Sequence, residues 1–388
     1  MGELVDARTA AERLGVDVRT LYAYVSRGAL RRVPGPDGRS SRYDSDELGL
    51  LARRSRPRTL PRPAASIDLV IATRVSTVTD GLVRYRGTDV LDLVAAGEPF
   101  ESVAGLLWAG GADGPAGASE WQVPAGPPPA GPARGALAGG PVAHRLAAAV
   151  AGAGGAAELG SPPDWPAAGR LLIATLIGAS GTAAGDAGAP GSVAGRLWQR
   201  WSPLRPTVAR VRALNTALVL LAEHELAPST LAVRVAASTR ATPVGCLLAG
   251  LGTLSGALHG DVPRLLREWF LSRAAKGAPD AAPPSGAGFG HSVHRRGDPR
   301  TAPLLQAVYA IATQADRDLI ERARHGAPAP PNIDFALGAL GHVARMPPPA
   351  ATAIFAIART AGWMAHAAEE YSEPPVRFRG RAVTPVRR

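Results

Sequence analysis

Residues 351–370 read ATAIFAIARTAGWMAHAAEE, with apolar side chains recurring at three- and four-residue spacing, the period of a helix. Working outward, similar patterning predicts helices over 304–324, 263–270, 247–254, 230–238, 208–223 and 171–177. Leu91, Val94, Phe100, Val103, Leu106 and Leu107 also fall at mostly helical spacings. The stretches 110–141 and 272–288 are rich in Gly and Pro and are expected as loops. A short β-prone piece, 67–85, precedes the helices, but the strand–helix alternation of a parallel sheet is absent. The expected fold class is therefore all-α, without an internal repeat.

The chain has 388 residues and a formal net charge of +11, which suggests two or three domains and a sizeable core. Gly (45) and Pro (36) are abundant, yet a hydrophobic content of 46% is that of a globular protein. All basic residues except Lys276 are arginine, a bias that accompanies the Ala/Gly/Pro richness and weakens the arginine signal. A single cysteine, Cys246, argues against a disulfide framework or a cysteine-based metal site. Glu3, Asp6, Arg8, Glu12 and Arg13 argue against a secretory signal, and Ala/Gly runs such as 147–157 are too weakly apolar to span a bilayer. A cytoplasmic location without a membrane segment is expected.

Residues 1–63 hold 13 arginines against 8 acidic residues. Per residue this segment is about four times as basic as the remainder, the mark of an appended module with an anionic partner. Arg53, Arg54, Arg56, Arg58 and Arg62 alternate with Pro57, Pro61 and Pro63, so 53–66 is read as a linker and 1–52 as the module. Within it Thr9 is expected to cap a helix over 10–14. A second helix over 18–26 would turn Leu21 and Val25 inward and Arg19, Thr20 and Tyr22 outward. A turn at 34–38 leads to Arg39, Arg42 and Tyr43. This layout resembles the MerR/excisionase-type winged helix-turn-helix. The resemblance implies double-stranded DNA as partner, with Arg19, Thr20 and Tyr22 at base edges and Arg39 and Arg42 at phosphates. The plainer alternative is a helical module that contacts protein.

Among eight histidines, His144, His325, His342 and His366 lie in no informative pattern and read as surface or satisfied core residues. His291 and His294 have a ligand-like spacing but no third ligand nearby, so no metal is expected. Three segments carry more chemistry. AEHEL and LHG hold His224 and His259; GFGHSVHRRGDPR holds His291 and Arg300; PNIDF and ARTAGWMAH hold Asp334 and Arg359. A neutral imidazole with a carboxylate can enolise an acyl thioester, and arginines bind carboxylates bidentately. The pattern suggests carbon–carbon bond chemistry on a polycarboxylate.

These segments, with GLVRYRGTDVLDL, FESVAGLLWAG and VRFRGRAVTPV, closely resemble citrate synthase over roughly residues 67–388. The resemblance implies a large helical domain (67–259 and 346–388), a small one (260–345), a homodimer, and acetyl-CoA and oxaloacetate as substrates with no bound cofactor. It implies His259, His291 and Asp334 as catalytic residues. His224, Arg300, Arg359 and Arg377 would bind oxaloacetate, Arg377 in the partner's site, and Arg295 or Arg296 would meet a CoA phosphate. Asp261 after the LHG motif, Ser292, His294 and Phe378 depart from the family pattern. Asp261 would disfavour a neutral His259 if the two approached closely. Two alternatives are a metabolite-sensing transcription regulator with a catalytically weak domain, and a 2-methylcitrate synthase.

Overall fold

The computed structural model describes residues 4–14, 18–26, 30–35, 40–45, 48, 69–79, 81–109, 121, 140–153, 162–180, 191–256, 259–274, 287–325, 327 and 329–380. The linker expected at 53–66 and Arg39 lie outside them. The chain divides into two compact units, Met1–Ile71 and Ala72–Arg388.

The first unit runs β1 (Leu4–Asp6), α1 (Ala7–Leu14), α2 (Val18–Ser26), β2 (Val33–Pro34) and β3 (Ser41–Asp44). The antiparallel sheet has order β1-β3-β2, which puts Pro34 on an edge strand where its missing N–H is tolerated. The first helix starts at Ala7, earlier than expected, because Asp6 rather than Thr9 caps it: Oδ1 of Asp6 accepts from the Thr9 amide at 2.8 Å. Val5, Ala10, Ala11, Leu14, Leu21, Leu30, Tyr43 and Leu48 form this unit's own core.

The second unit opens with an antiparallel sheet, β4 (Ser76–Thr79), β5 (Leu82–Tyr85) and β6 (Thr88–Asp89). The class is therefore mostly helical with two small sheets, not all-α. The β5–β6 hairpin turns on Arg86 and Gly87, at φ 49° and 89°, as a two-residue loop requires. Helices follow: α3 (Val90–Ala96), α4 (Phe100–Trp108), α5 (Val142–Gly152), α6 (Trp165–Ala179), α7 (Val193–Trp201), α8 (Val208–Leu221), α9 (Pro228–Ser238), α10 (Pro243–Leu254), α11 (Val262–Ala274), α12 (Thr301–Tyr309), α13 (Gln314–His325), α14 (Ile333–Val343) and α15 (Pro349–Tyr371).

The single helix expected over 304–324 is two. Thr313 restarts the second, its hydroxyl and amide exchanging hydrogen bonds with Asp316 at 2.7–3.3 Å. Helix α15 is buried along nearly its whole length and packs on α4, α6, α8, α9, α10 and α11. A helix buried on nearly every side lies at the centre of its unit.

Candidate functional site

The N-terminal sheet of the second unit positions His224. Tyr85 at the end of β5 donates from its buried hydroxyl to carbonyls at the end of α8, the shortest contact being Glu223 O at 2.9 Å. Ser76 Oγ donates to Glu223 Oε1 at 3.1 Å and accepts from the Glu225 amide at 3.1 Å, and Val78 N donates to Glu225 Oε1 at 2.7 Å. Residues 223–225 are thus pinned on both sides of His224. From α15, Gly362 N donates to Ala222 O at 3.2 Å and Arg359 Nε to Leu221 O at 2.8 Å.

Two glycines with positive φ, Gly288 (78°) and Gly290 (71°), shape the loop carrying His291. A Cβ at Gly288 would lie 2.6 Å from Leu266 Cδ1 and 3.1 Å from Phe335 Cβ, and the positive φ strains any L side chain there. The loop is stitched to the start of α14: Asn332 N donates to Gly288 O (2.9 Å), Gly290 N to Pro330 O (2.8 Å), and Asn332 Nδ2 to Gly290 O (2.8 Å). Asn332 also caps α14 by accepting from Asp334 N and Phe335 N. His291 and Asp334 are consequently held by one framework.

The protonation pattern is ordered. Nδ1 of His291 accepts from the amides of Val293 (3.1 Å) and His294 (3.2 Å), so the proton of the neutral ring sits on Nε2. Burial, then the charge of Arg300, pushes this imidazole down to about 4. Burial and then Arg359 do the same for His259, also to about 4. His259 Nε2 lies 2.8 Å from Ser229 Oγ. Asp261 does not oppose this neutrality. It forms a bidentate pair with Arg264 at 2.6–2.9 Å, and so the departure after the LHG motif leaves His259 intact. Burial, then Arg300 and Arg359, holds His224 well below the usual imidazole range. Asp334 is raised to about 6 by burial, against the pull of Arg300 and Arg359.

Arg300 is buried and gripped by Asp298, Nε to Oδ1 at 2.9 Å and Nη2 to Oδ2 at 2.8 Å; Asp298 Oδ2 also accepts from Ile333 N. Burial would raise Asp298, but Arg300 holds it below the usual carboxylate range. Arg359 lies over Phe355, 4.9 Å from the ring centroid. Arg295 and Arg296 are exposed. Arg377 pairs within its own chain with buried Glu370, at 2.6 Å through both Nε and Nη2.

Sequence reasoning missed the groups behind these residues: Asp298, Ser229, Asn332, Tyr85 and Glu223. Asp298 was legible as the acid two positions before Arg300. His366, read as a surface or core residue, is fully buried and bridges two charged groups. Its Nδ1 accepts from Arg234 Nη1 (2.9 Å), leaving Nε2–H for Glu223 Oε1 (3.2 Å).

Residues 68–379 match the family described as citrate synthase, C-terminal domain, four-fifths of the chain. The chain belongs to the citrate synthase family. It is 32% identical over 178 residues to 2-methylcitrate synthase 2 of Corynebacterium glutamicum, a match covering 42% of this chain and 46% of that relative, so it spans about half of the relative's length.

Its fold resembles citrate synthase of Thermoplasma acidophilum in ternary complex with carboxymethyl coenzyme A and oxaloacetate (TM-score 0.62, 23% identity, 82% of this chain and 95% of that one). It also resembles citrate synthase of Pyrobaculum aerophilum (0.64, 21%, 82% and 91%). The family match starts at residue 68, beyond the basic N-terminal module. Among the described residues no group of His, Cys, Asp or Glu is arranged to hold a metal ion, and no helix is long and apolar enough to cross a membrane.

Proposed function

We propose that this chain condenses acetyl-CoA with oxaloacetate to give citrate and CoA. One observation carries the reading: a neutral His291 with its proton fixed on Nε2 shares a framework with a desolvated carboxylate, Asp334, in the field of two buried arginines. Asp334 takes a proton from the acetyl methyl group while neutral His259 donates a hydrogen bond to the thioester oxygen. The resulting enolate carbon attacks the ketone carbon of oxaloacetate, and His291 gives its Nε2 proton to the developing alkoxide. Arg300, Arg359 and His224 hold the dianion. Water then cleaves the citryl thioester and releases CoA.

Arg295 or Arg296 is assigned to a CoA phosphate. The large domain is taken as 67–259 and 346–388 and the small as 260–345. The active form is taken as a homodimer in which Arg377 serves the partner's site. Mixing Arg377→Ala and Asp334→Ala chains should then restore some activity, since one site of each mixed dimer has both residues.

A second reading, 2-methylcitrate synthesis, is favoured by the relative of that name. One methylene changes discrimination by only about 1–3 kcal/mol. Mass spectrometry of the products from acetyl-CoA and propionyl-CoA tests the choice: citrate formed faster supports the first reading, 2-methylcitrate the second.

Residues 1–52 are proposed to bind double-stranded DNA. Tyr22 is 51% exposed on α2, and Arg42 stands on β3 of a unit with its own core. Arg19 and Thr20 lie on α2. Retardation of duplexes by the full-length protein at low salt is the test; no retardation of any duplex would favour a protein-contact module. DNA binding that responds to oxaloacetate without condensation would instead support the metabolite-sensing regulator.

A further inference from the structure

We propose that His294 is a positioning residue that sets the protonation pattern of both His224 and His291. The inference rests on the condensing-enzyme reading, in which His224 holds the keto acid and His291 protonates it. The Nε2 atoms of His224 and His294 lie 2.8 Å apart, with the two residues 8% and 4% exposed. At that distance two lone pairs repel, and so do two N–H groups, so one nitrogen donates and the other accepts.

The second nitrogen of His294 decides the direction. Nδ1 is buried and has no hydrogen-bond partner among the described residues. If His224 were the donor, neutral His294 would carry its proton on Nδ1, as a buried and orphaned N–H. Proteins avoid an orphaned donor more strictly than an under-used acceptor. His294 therefore donates from Nε2, His224 accepts, and the one proton of neutral His224 sits on Nδ1.

That nitrogen is not among the buried unpartnered atoms, and the ring lies in the field of Arg300 and Arg359. An anionic substrate held by those arginines then meets an N–H on His224 instead of a lone pair. His294 acts on the other imidazole through its backbone: its amide is one of the two that donate to His291 Nδ1, at 3.2 Å. The three rings lie within 4.9–5.2 Å of one another, centroid to centroid. One residue thus turns two imidazoles into donors, Nδ1–H at His224 by its side chain and Nε2–H at His291 by its main chain.

The test is 15N-imidazole NMR of the full-length protein, with signals assigned by single-histidine variants, together with oxaloacetate KM. The wild type should show His224 protonated on Nδ1. His294→Phe should release that tautomer and raise the oxaloacetate KM about tenfold or more, with a smaller change in kcat. His294→Gln, whose amide can donate at similar reach, should recover both. A wild-type His224 protonated on Nε2, or a His294→Phe variant with unchanged tautomer and KM, would overturn the inference. Failure of the wild type to release CoA would count against the condensing-enzyme reading instead, because the NMR readout needs no turnover.

Discussion

At the scale of single residues, the site depends on charges taken out of water and then steered. In the proposed mechanism Asp334 must be ionised to accept a proton, and its folded-state value of about 6 places it near working pH, where a base is most effective. Activity is expected to fall as pH drops through about 6, because the carboxylate is then protonated. His259 and His291, at about 4, stay neutral over the same range and add no limb there. A kcat/KM profile with no loss between pH 7 and 5 would remove Asp334 from the base role. Asp298 makes the second residue-scale case. Its bidentate grip on Arg300 is buried, so Asp298→Ala leaves an uncompensated guanidinium, at a cost of about 3–5 kcal/mol. A lowered Tm with a raised oxaloacetate KM is expected, and an unchanged Tm would contradict the structural weight placed on this pair.

At the scale of elements, the joint between α8, α15 and the β4–β6 sheet has the least room. A Cβ added at Gly362 would collide with Glu223 Oε2 and lie 2.6 Å from Ala222 O. Gly362→Ala is therefore expected to destabilise the fold by about 1–3 kcal/mol, read as a lower denaturant midpoint, and to disturb the adjoining His224 loop. This joint also marks how far the sequence could be read. The helix over 351–370 was visible because its apolar period runs unbroken, and Arg359 was visible within it. The break at residues 310–313 was not, since the apolar pattern continues across it and the Thr313–Asp316 cap overrides it. The sheet was seen only as a β-prone piece. Its bearing on function comes from long-range bonds, Tyr85 to Glu223 and Ser76 to Glu225, that local pattern does not carry. His291, Asp334 and the arginines were legible because their motifs are local. Ser229 beside His259 and Glu223 beside His366 were not, because folding alone brings each pair together.

At the scale of the whole molecule, stability should depend on pH through its neutral histidines. His224, His259, His291, His294 and His342 all have folded-state values below the ordinary 6.5, burial being the leading cause in each. The unfolded chain therefore binds protons more readily. The contribution of these residues is full above about 6.5 and is lost as pH falls towards 4. Asp334 has the opposite sign, since protonation below about 6 relieves a desolvated charge. Five groups against one give a net loss, and Tm is expected to drop by several degrees between pH 6.5 and 4.5. A flat Tm over that interval would mean that the imidazoles bind protons as readily in the fold as in the unfolded chain, against the lowered folded-state values. The two compact units, a basic module and a core of the citrate synthase family, make the proposed joining of DNA binding to metabolism a question about the intact chain. The core's chemistry is tested most directly by CoA-thiol release from acetyl-CoA and oxaloacetate, wild type beside Asp334→Asn. The expected result is steady thiol release that requires both substrates, reduced about 10²–10⁴-fold in the variant. Thiol release by Asp334→Asn at the wild-type rate, or none from the wild type, would contradict the account.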